Sequence, residues 1–206
     1  MIGVRRALAV ATVTLGAACT SPVGLRDVNG DGQIVVLCFG DSITKGNALG
    51  AYPLKLGTLL QGRATVVREG IWGEATAAGR ERLPGVLDKY QADYVIVLEG
   101  INDGCNVPTE TVVENLRAMT DEVRRRGAVP LVGMVFVSPE LFVGSWARCA
   151  AQINDGIRHL PVSTIDFAAV LDRRWQELTV DGLHPNNRGC AALADAAMRA
   201  LDTSRE

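Results

Sequence analysis

A serine hydroxyl and an imidazole stand far apart in this chain of 206 residues, each inside a short string with its own chemical sense. Ser42 lies in Gly40-Asp41-Ser42-Ile43-Thr44, directly after an apolar run that reads as a strand. Asp181 and His184 lie in Asp181-Gly182-Leu183-His184-Pro185. A serine hydroxyl is a weak nucleophile until a base takes its proton, and the base works better when a carboxylate orients it. In chain order these are the three side chains that serine-based acyl transfer needs. The choice of base is narrow, because His159 and His184 are the two histidines. His159 reads as a polar residue in the last turn of a helix. Asp166 and Asp172 lack the Asp-x-x-His spacing, so Asp181 is the preferred acid.

Such groups need a framework, and the chain between them alternates strand and helix patterns. Gln33–Phe39, Ala64–Arg68, Tyr94–Leu98, Leu131–Val137 and Val162–Phe167 read as strands. Tyr94–Leu98 is apolar throughout, as a strand covered on both faces would be. Ala51–Gln61, Thr111–Arg126, Ala147–His159 and Asn187–Leu201 read as helices. In the second of these, Val112, Leu116, Met119 and Val123 line one face, Thr111 and Glu114 suggest a capping box, and Gly127 supplies the stop. Five strands alternating with helices imply an α/β fold with a parallel sheet covered on both sides. Sites in such sheets form beyond the carboxyl ends of the strands. Ser42 follows the first strand, Gly73 follows the second, and Asn102 follows the third. With Asp181 and His184 before the last helix, all five are expected at one sheet edge.

Four blocks in this order, GDSIT, GIWGE, GIND and DGLHP, make residues 33–201 resemble the SGNH hydrolase family, also called GDSL esterases and lipases. One difference is Arg68, where many members have asparagine two residues before the first glycine of the second block. The resemblance implies a flavodoxin-like three-layer α/β/α sandwich with a five-stranded parallel sheet in the order 2-1-3-4-5. It implies a serine esterase site open to solvent, with Ser42 as nucleophile, His184 as base and Asp181 as orienting acid. The oxyanion donors would be the backbone N–H groups of Ser42 and Gly73 and the side-chain amide of Asn102. This chemistry requires no cofactor and no metal. Asp41 and Asp103 read as structural, bonding loop backbone.

Nearly half of the residues are apolar (48%), enough for one substantial core, and the net charge of −2 gives no footprint for nucleic acid. Arg5 and Arg6 precede a twelve-residue apolar stretch, Ala7 to Ala18, too short for a span of about 20 residues. Residues 1–18 therefore read as an export signal. Gly16-Ala17-Ala18 before Cys19 resembles a bacterial lipobox, although Gly16 stands where leucine is usual. Cys19 is thus a candidate for lipidation and a membrane tether, with residues 19–32 a short linker and 33–206 the hydrolase domain. The product would be periplasmic, membrane-anchored or secreted. In an oxidising compartment Cys105 and Cys149, both on polar ground after strands, are the favoured disulfide, while Cys38 and Cys190 read as buried thiols. Asp27-Val28-Asn29-Gly30-Asp31-Gly32 matches the start of a calcium loop. Its twelfth position is Cys38 rather than an acid, so it reads as a polar turn.

Substrate size is less legible. Trp72 adjoins Gly73, and the 139–146 loop carries Leu141, Phe142 and Trp146, which either form an acyl wall or fold back onto the core. The absence of a lid-like insertion points to small, accessible esters: carbohydrate acetyl esters, short acyl esters or lysophospholipids. Alternatives are an acyltransferase using the same acyl-enzyme and a non-catalytic surface lipoprotein that binds glycans.

Overall fold

The computed structural model describes residues 24–142 and 145–204. The export signal read at residues 1–18 and the lipidation candidate Cys19 lie outside the described residues. Five strands, β1 (Val35–Gly40), β2 (Thr65–Gly70), β3 (Tyr94–Leu98), β4 (Val129–Gly133) and β5 (Ser163–Ile165), form one parallel sheet in the order β2-β1-β3-β4-β5. The helices are α1 (Ser42–Lys45), α2 (Tyr52–Leu59), α3 (Thr76–Tyr90), α4 (Thr109–Arg125), α5 (Ser145–Arg158), α6 (Phe167–Leu171), α7 (Trp175–Leu178) and α8 (Asn187–Thr203). Helices α3, α4 and α5 lie side by side on one face of the sheet. Helices α2 and α8, joined by α6 and α7, cover the other. This is the three-layer flavodoxin-like arrangement, with the strand order, that the family resemblance implies.

The pattern of burial explains why these segments take these places. All five residues of β3 are buried, because β3 lies inside the sheet with helices above and below. On α4, Val112, Leu116, Met119 and Val123 are buried on the sheet, and each such side chain contributes about 1.5–3 kcal/mol through burial. Arg124, Arg125 and Arg126 lie at the carboxyl end of that helix and pair with Asp121, Glu122 and Asp88. Among the described residues, no helix is long and apolar enough to cross a membrane.

Several boundaries differ from expectation for physical reasons. The fourth strand starts two residues earlier and ends at Gly133, because its ladder is set by β3, where Tyr94 faces Val129. Met134 to Val137 continue as buried irregular backbone. The expected capping box at Thr111 and Glu114 is not formed, because α4 begins at Thr109 behind Pro108 with no side-chain cap. Helix α3 occupies a stretch to which the sequence reading assigns no element. Gly79, Pro84 and Gly85 disguise it, and Pro84 sits inside the helix without an N–H to give to the preceding turn.

The short linker also needs correction, since its described part belongs to the folded body. The Asp93 carboxylate accepts hydrogen bonds from the N–H groups of Val28 (2.7 Å), Asn29 (3.1 Å) and Val35 (2.8 Å). Arg26 N–H donates to the Tyr94 hydroxyl at 3.0 Å, and Leu25 and Val28 rest on the core. The Asp27 side chain accepts from the N–H groups of Gly30, Asp31 and Gly32, which makes this motif a self-bonded polar turn.

Candidate active site

The carboxyl ends of β1, β2 and β3 carry the three loops of the site. β1 stops at Gly40, the Asp41 carboxylate caps α1 by accepting from Ile43 N–H at 2.8 Å, and Ser42 becomes the first helical residue. After β2, Ile71 N–H donates to the Gly40 carbonyl at 2.9 Å, which ties the second loop to the first. Gly73 in this loop has φ +71°, and a Cβ there would meet nothing within 4 Å. Its backbone conformation, rather than crowding, is what calls for glycine. Gly73 N–H has no partner among the described residues.

The loop before α8 approaches Ser42 from the far end of the chain. Val180 N–H donates to the His184 carbonyl at 2.8 Å, and Gly182 O accepts from Ser138 N–H at 2.8 Å. Asn186 caps α8 by accepting from Arg188 and Gly189 N–H, and its amide donates to the Glu177 carbonyl. So braced, the loop sets His184 Nε2 3.0 Å from Ser42 Oγ and His184 Nδ1 2.7 Å from Asp181 Oδ2. The other Asp181 oxygen accepts from Leu183 N–H (3.0 Å) and His184 N–H (2.7 Å). Partial burial alone would raise the Asp181 pKa. The bonds from His184 and Leu183 outweigh it and hold this carboxyl below its ordinary value. A carboxylate facing Nδ1 keeps the proton on that nitrogen, which leaves Nε2 free to accept from the serine O–H.

Asn102 follows β3 with its amide aimed by two acceptors. Nδ2 donates to the Glu74 carbonyl at 2.9 Å and to Asp41 Oδ2 at 3.3 Å. Asp103 accepts from Thr76 N–H (2.9 Å) and Oγ1–H (2.7 Å), which joins the third loop to the start of α3. Burial pushes the Asp41 carboxyl up to about 7; Ile43 N–H opposes this, while Glu74 and Asp103 add to it. The Cys105–Cys149 disulfide links the same turn to α5, with a Cα–Cα distance of 5.6 Å, and Cys38 and Cys190 are free and buried. Nothing in the residue spacing signals that Asp41 touches Asn102, nor that Glu74 and Glu99 are buried, and Arg82 half-buried, beside them.

The aromatic residues divide into two groups. Trp72 is 54% exposed, and its ring centroid lies 5.5 Å from that of His184. Phe142 and Trp146 stack at 5.8 Å and rest on the core, and Trp146 also covers Gly104. These two pack back onto the core, Trp146 against the third loop. From the same segment Leu141 is exposed beside Gly182, and Val180 is exposed in the His184 loop. A cavity of about 770 Å³ lies elsewhere, between α4 and α5, lined by Glu110, Arg117, Arg148 and Asp155 among others.

Comparison with known proteins fits this geometry. The sequence model of the GDSL-like Lipase/Acylhydrolase family matches residues 38–192. The chain belongs to this family. As a GDSL hydrolase it is a carboxylic ester hydrolase. It is similar to the thioesterase 1/protease 1/lysophospholipase L1 of Escherichia coli, with 28% identity over 173 residues, 78% of this chain and 79% of that protein. An arylesterase from Vibrio mimicus is 30% identical over 132 residues, 59% of this chain and 62% of the relative. Among solved structures, a lipase/acylhydrolase from Enterococcus faecalis superposes with TM-score 0.72 at 20% identity, covering 82% of this chain and 96% of that one. A catalytic mutant of an acetylxylan esterase from Geobacillus stearothermophilus gives TM-score 0.71 at 20% identity, covering 82% and 94%. At such identities, the structures speak for the GDSL hydrolase fold alone.

Proposed function

We propose that this GDSL hydrolase cleaves small, accessible monoacyl esters through an acyl-enzyme on Ser42. The observation that carries this reading is the continuous relay from Ser42 Oγ through His184 to Asp181, at 3.0 and 2.7 Å. Ser42 Oγ attacks the ester carbonyl carbon while His184 Nε2 takes its proton, and the C–O double bond becomes an oxyanion. Ser42 N–H, Gly73 N–H and Asn102 Nδ2 donate to that oxygen. The Asn102 contact with Asp41 is the longer of its two, so it is the one the oxyanion displaces. The tetrahedral adduct then expels the alcohol, which leaves with the proton from His184. Water, deprotonated by the same imidazole, attacks the acyl-enzyme and frees the acid and Ser42. Removing one oxyanion donor typically costs about 100- to 1,000-fold in rate. Asn102→Ala is accordingly expected to lower kcat by that factor with KM little changed. A loss confined to KM would remove Asn102 from the oxyanion site.

The side chains around His184 support an acyl rather than a purely saccharide subsite. Ile71, Trp72, Leu141 and Val180 are exposed large apolar residues on the loops that carry or touch the site. Exposed apolar surface next to a reacting carbonyl favours a short acyl chain laid across it. The test is a panel of acetyl, butyryl and octanoyl esters and a sugar acetate, with wild type and Trp72→Ala. Butyryl and octanoyl esters are expected to be preferred, and Trp72→Ala to lower kcat/KM for octanoyl by roughly tenfold while sparing acetyl, the effect of removing about half of a large apolar contact. A preference for sugar acetate untouched by the substitution would overturn the acyl-rim reading. No turnover of any ester would overturn the hydrolase reading itself. The basic and apolar start of the chain and the Cys105–Cys149 bond support an exported enzyme working in an oxidising compartment.

A further inference from the structure

Beneath the oxyanion donors lies a group of buried acids that the mechanism above leaves unused. Glu99 follows the last residue of β3, is 0% exposed, and neither of its carboxyl oxygens has a hydrogen-bond partner among the described residues. The charged groups that face it are Asp41 from the loop after β1, Glu74 from the loop after β2, and Arg82 from α3. Arg82 Nε and Nη2 donate to the two Glu74 oxygens at 2.8 and 2.5 Å, with the guanidinium 4.0 Å over the Phe39 ring; the third nitrogen, Nη1, is buried with no hydrogen-bond partner among the described residues, so none of the three bonds Glu99. Gly79 on α3 leaves room for Glu99, since a Cβ there would lie 3.3 Å from Glu99 Oε1. A buried, unpaired carboxylate beside two other carboxyls is costly, whereas a neutral acid brings an O–H donor to an acceptor-rich place.

The two other acids of this group hold Asn102. Its amide donates to the Glu74 carbonyl and to the Asp41 carboxylate. We propose that Glu99 is a positioning residue of the oxyanion site, held as a neutral acid whose O–H lets Asp41, Glu74 and Arg82 keep the arrangement that aims Asn102. Glu99 touches no reacting atom and acts through Asn102. The proposal rests on the reading of Asn102 as an oxyanion donor. Its protonation is independent of that reading, and burial chiefly, with Asp41 and Glu74 adding and Arg82 opposing, pushes this carboxyl up to about 11.

Two variants and two readouts test it: Glu99→Gln, which keeps the shape and a donor without a charge, and Glu99→Leu, which removes both oxygens. Glu99→Leu is expected to lose about tenfold or more in kcat at nearly constant KM, the scale of a small misplacement of a catalytic group. Glu99→Gln is expected to recover most of that loss. The second readout is Tm against pH, which needs no turnover. A carboxyl whose folded pKa exceeds its unfolded value stabilises below the unfolded pKa and loses that contribution as pH rises toward the folded one. The Tm of Glu99→Gln relative to wild type is therefore expected to climb steadily as pH rises from about 5 to about 10. A flat difference in Tm, or a wild type favoured at high pH, would show Glu99 ionised and paired with Arg82, and would overturn the proposal. Equal kcat losses in both variants, or none in either, would also overturn it. A rising Tm difference with unaltered kcat in Asn102→Ala would instead place the failure in the oxyanion reading.

Discussion

Ser42→Ala is expected to reduce kcat by about a million-fold, the scale seen when the nucleophile of a serine triad is removed. Among the described residues, the Ser42 hydroxyl at 3.0 Å is the nucleophile hydrogen-bonded to His184 Nε2, and alanine leaves none in its place. Folding should be spared. Ser42 is the first residue of α1 and not its cap, and the capping bond to Ile43 N–H belongs to Asp41. The side-chain hydroxyl has His184 as its partner and holds no backbone group. Tm of the variant is therefore expected to match wild type, and an organophosphonate probe should label wild type on Ser42 and leave the variant unmodified. Residual turnover of up to about 1,000- to 10,000-fold over water is consistent with the remaining donors. Equal turnover by both proteins would dismiss Ser42 as nucleophile.

Asp181→Asn is expected to lower kcat by about 10,000-fold with the fold intact. The loss is electronic and directional. A carboxylate 2.7 Å from Nδ1 holds the proton there, whereas an amide N–H in the same place favours the opposite tautomer and turns Nε2 into a donor facing Ser42. Stability should change far less. Asp181 has a side chain 49% exposed, so solvent screens its pairing with His184. The sign is fixed by its lowered pKa: the carboxylate contributes stability above its unfolded value and loses it as pH falls through the folded one. The small Tm advantage of wild type over Asp181→Asn should thus be present at neutral pH and vanish in acid. A kcat loss below about tenfold would transfer the orienting role to another acid.

The strands and the Asp181–His184 half of the relay were readable because they are written locally, whereas the strand order and the partner Ser42 came from the family resemblance. A strand covered on both faces must be apolar along its whole length, and Tyr94–Leu98 is. Asp-x-x-His brings the two side chains together within a single loop, so spacing alone predicts the contact seen at 2.7 Å. The boundaries of β4 and β5 were less readable, because a ladder is bounded by its neighbours rather than by its own residues. Helix α3 was hidden because tertiary packing overrides the poor propensity of Gly79, Pro84 and Gly85. Glu74, Arg82 and Glu99 come from a loop, a helix and a strand end, and no spacing rule announces their meeting. Phe142 and Trp146 show the same limit. Apolar residues in a loop have the same sequence signature whether they brace the fold or border a substrate, and Gly104, against which Trp146 packs, comes from a distant segment.

The relay joins residues separated by 142 positions, and that separation has a temporal meaning. Ser42 follows the first strand, whereas His184 is carried into place by the loop that leads into α8, which packs on α2 across the chain. Contacts so distant in sequence carry a loop-closure entropy that a partly folded chain has yet to meet. A chain with its sheet formed and α8 still undocked holds a nucleophile with no base beside it. Such a chain cannot run the relay on any ester it meets. Turnover begins when the closing helix seats, so ester cleavage reports the finished fold more strictly than secondary structure does.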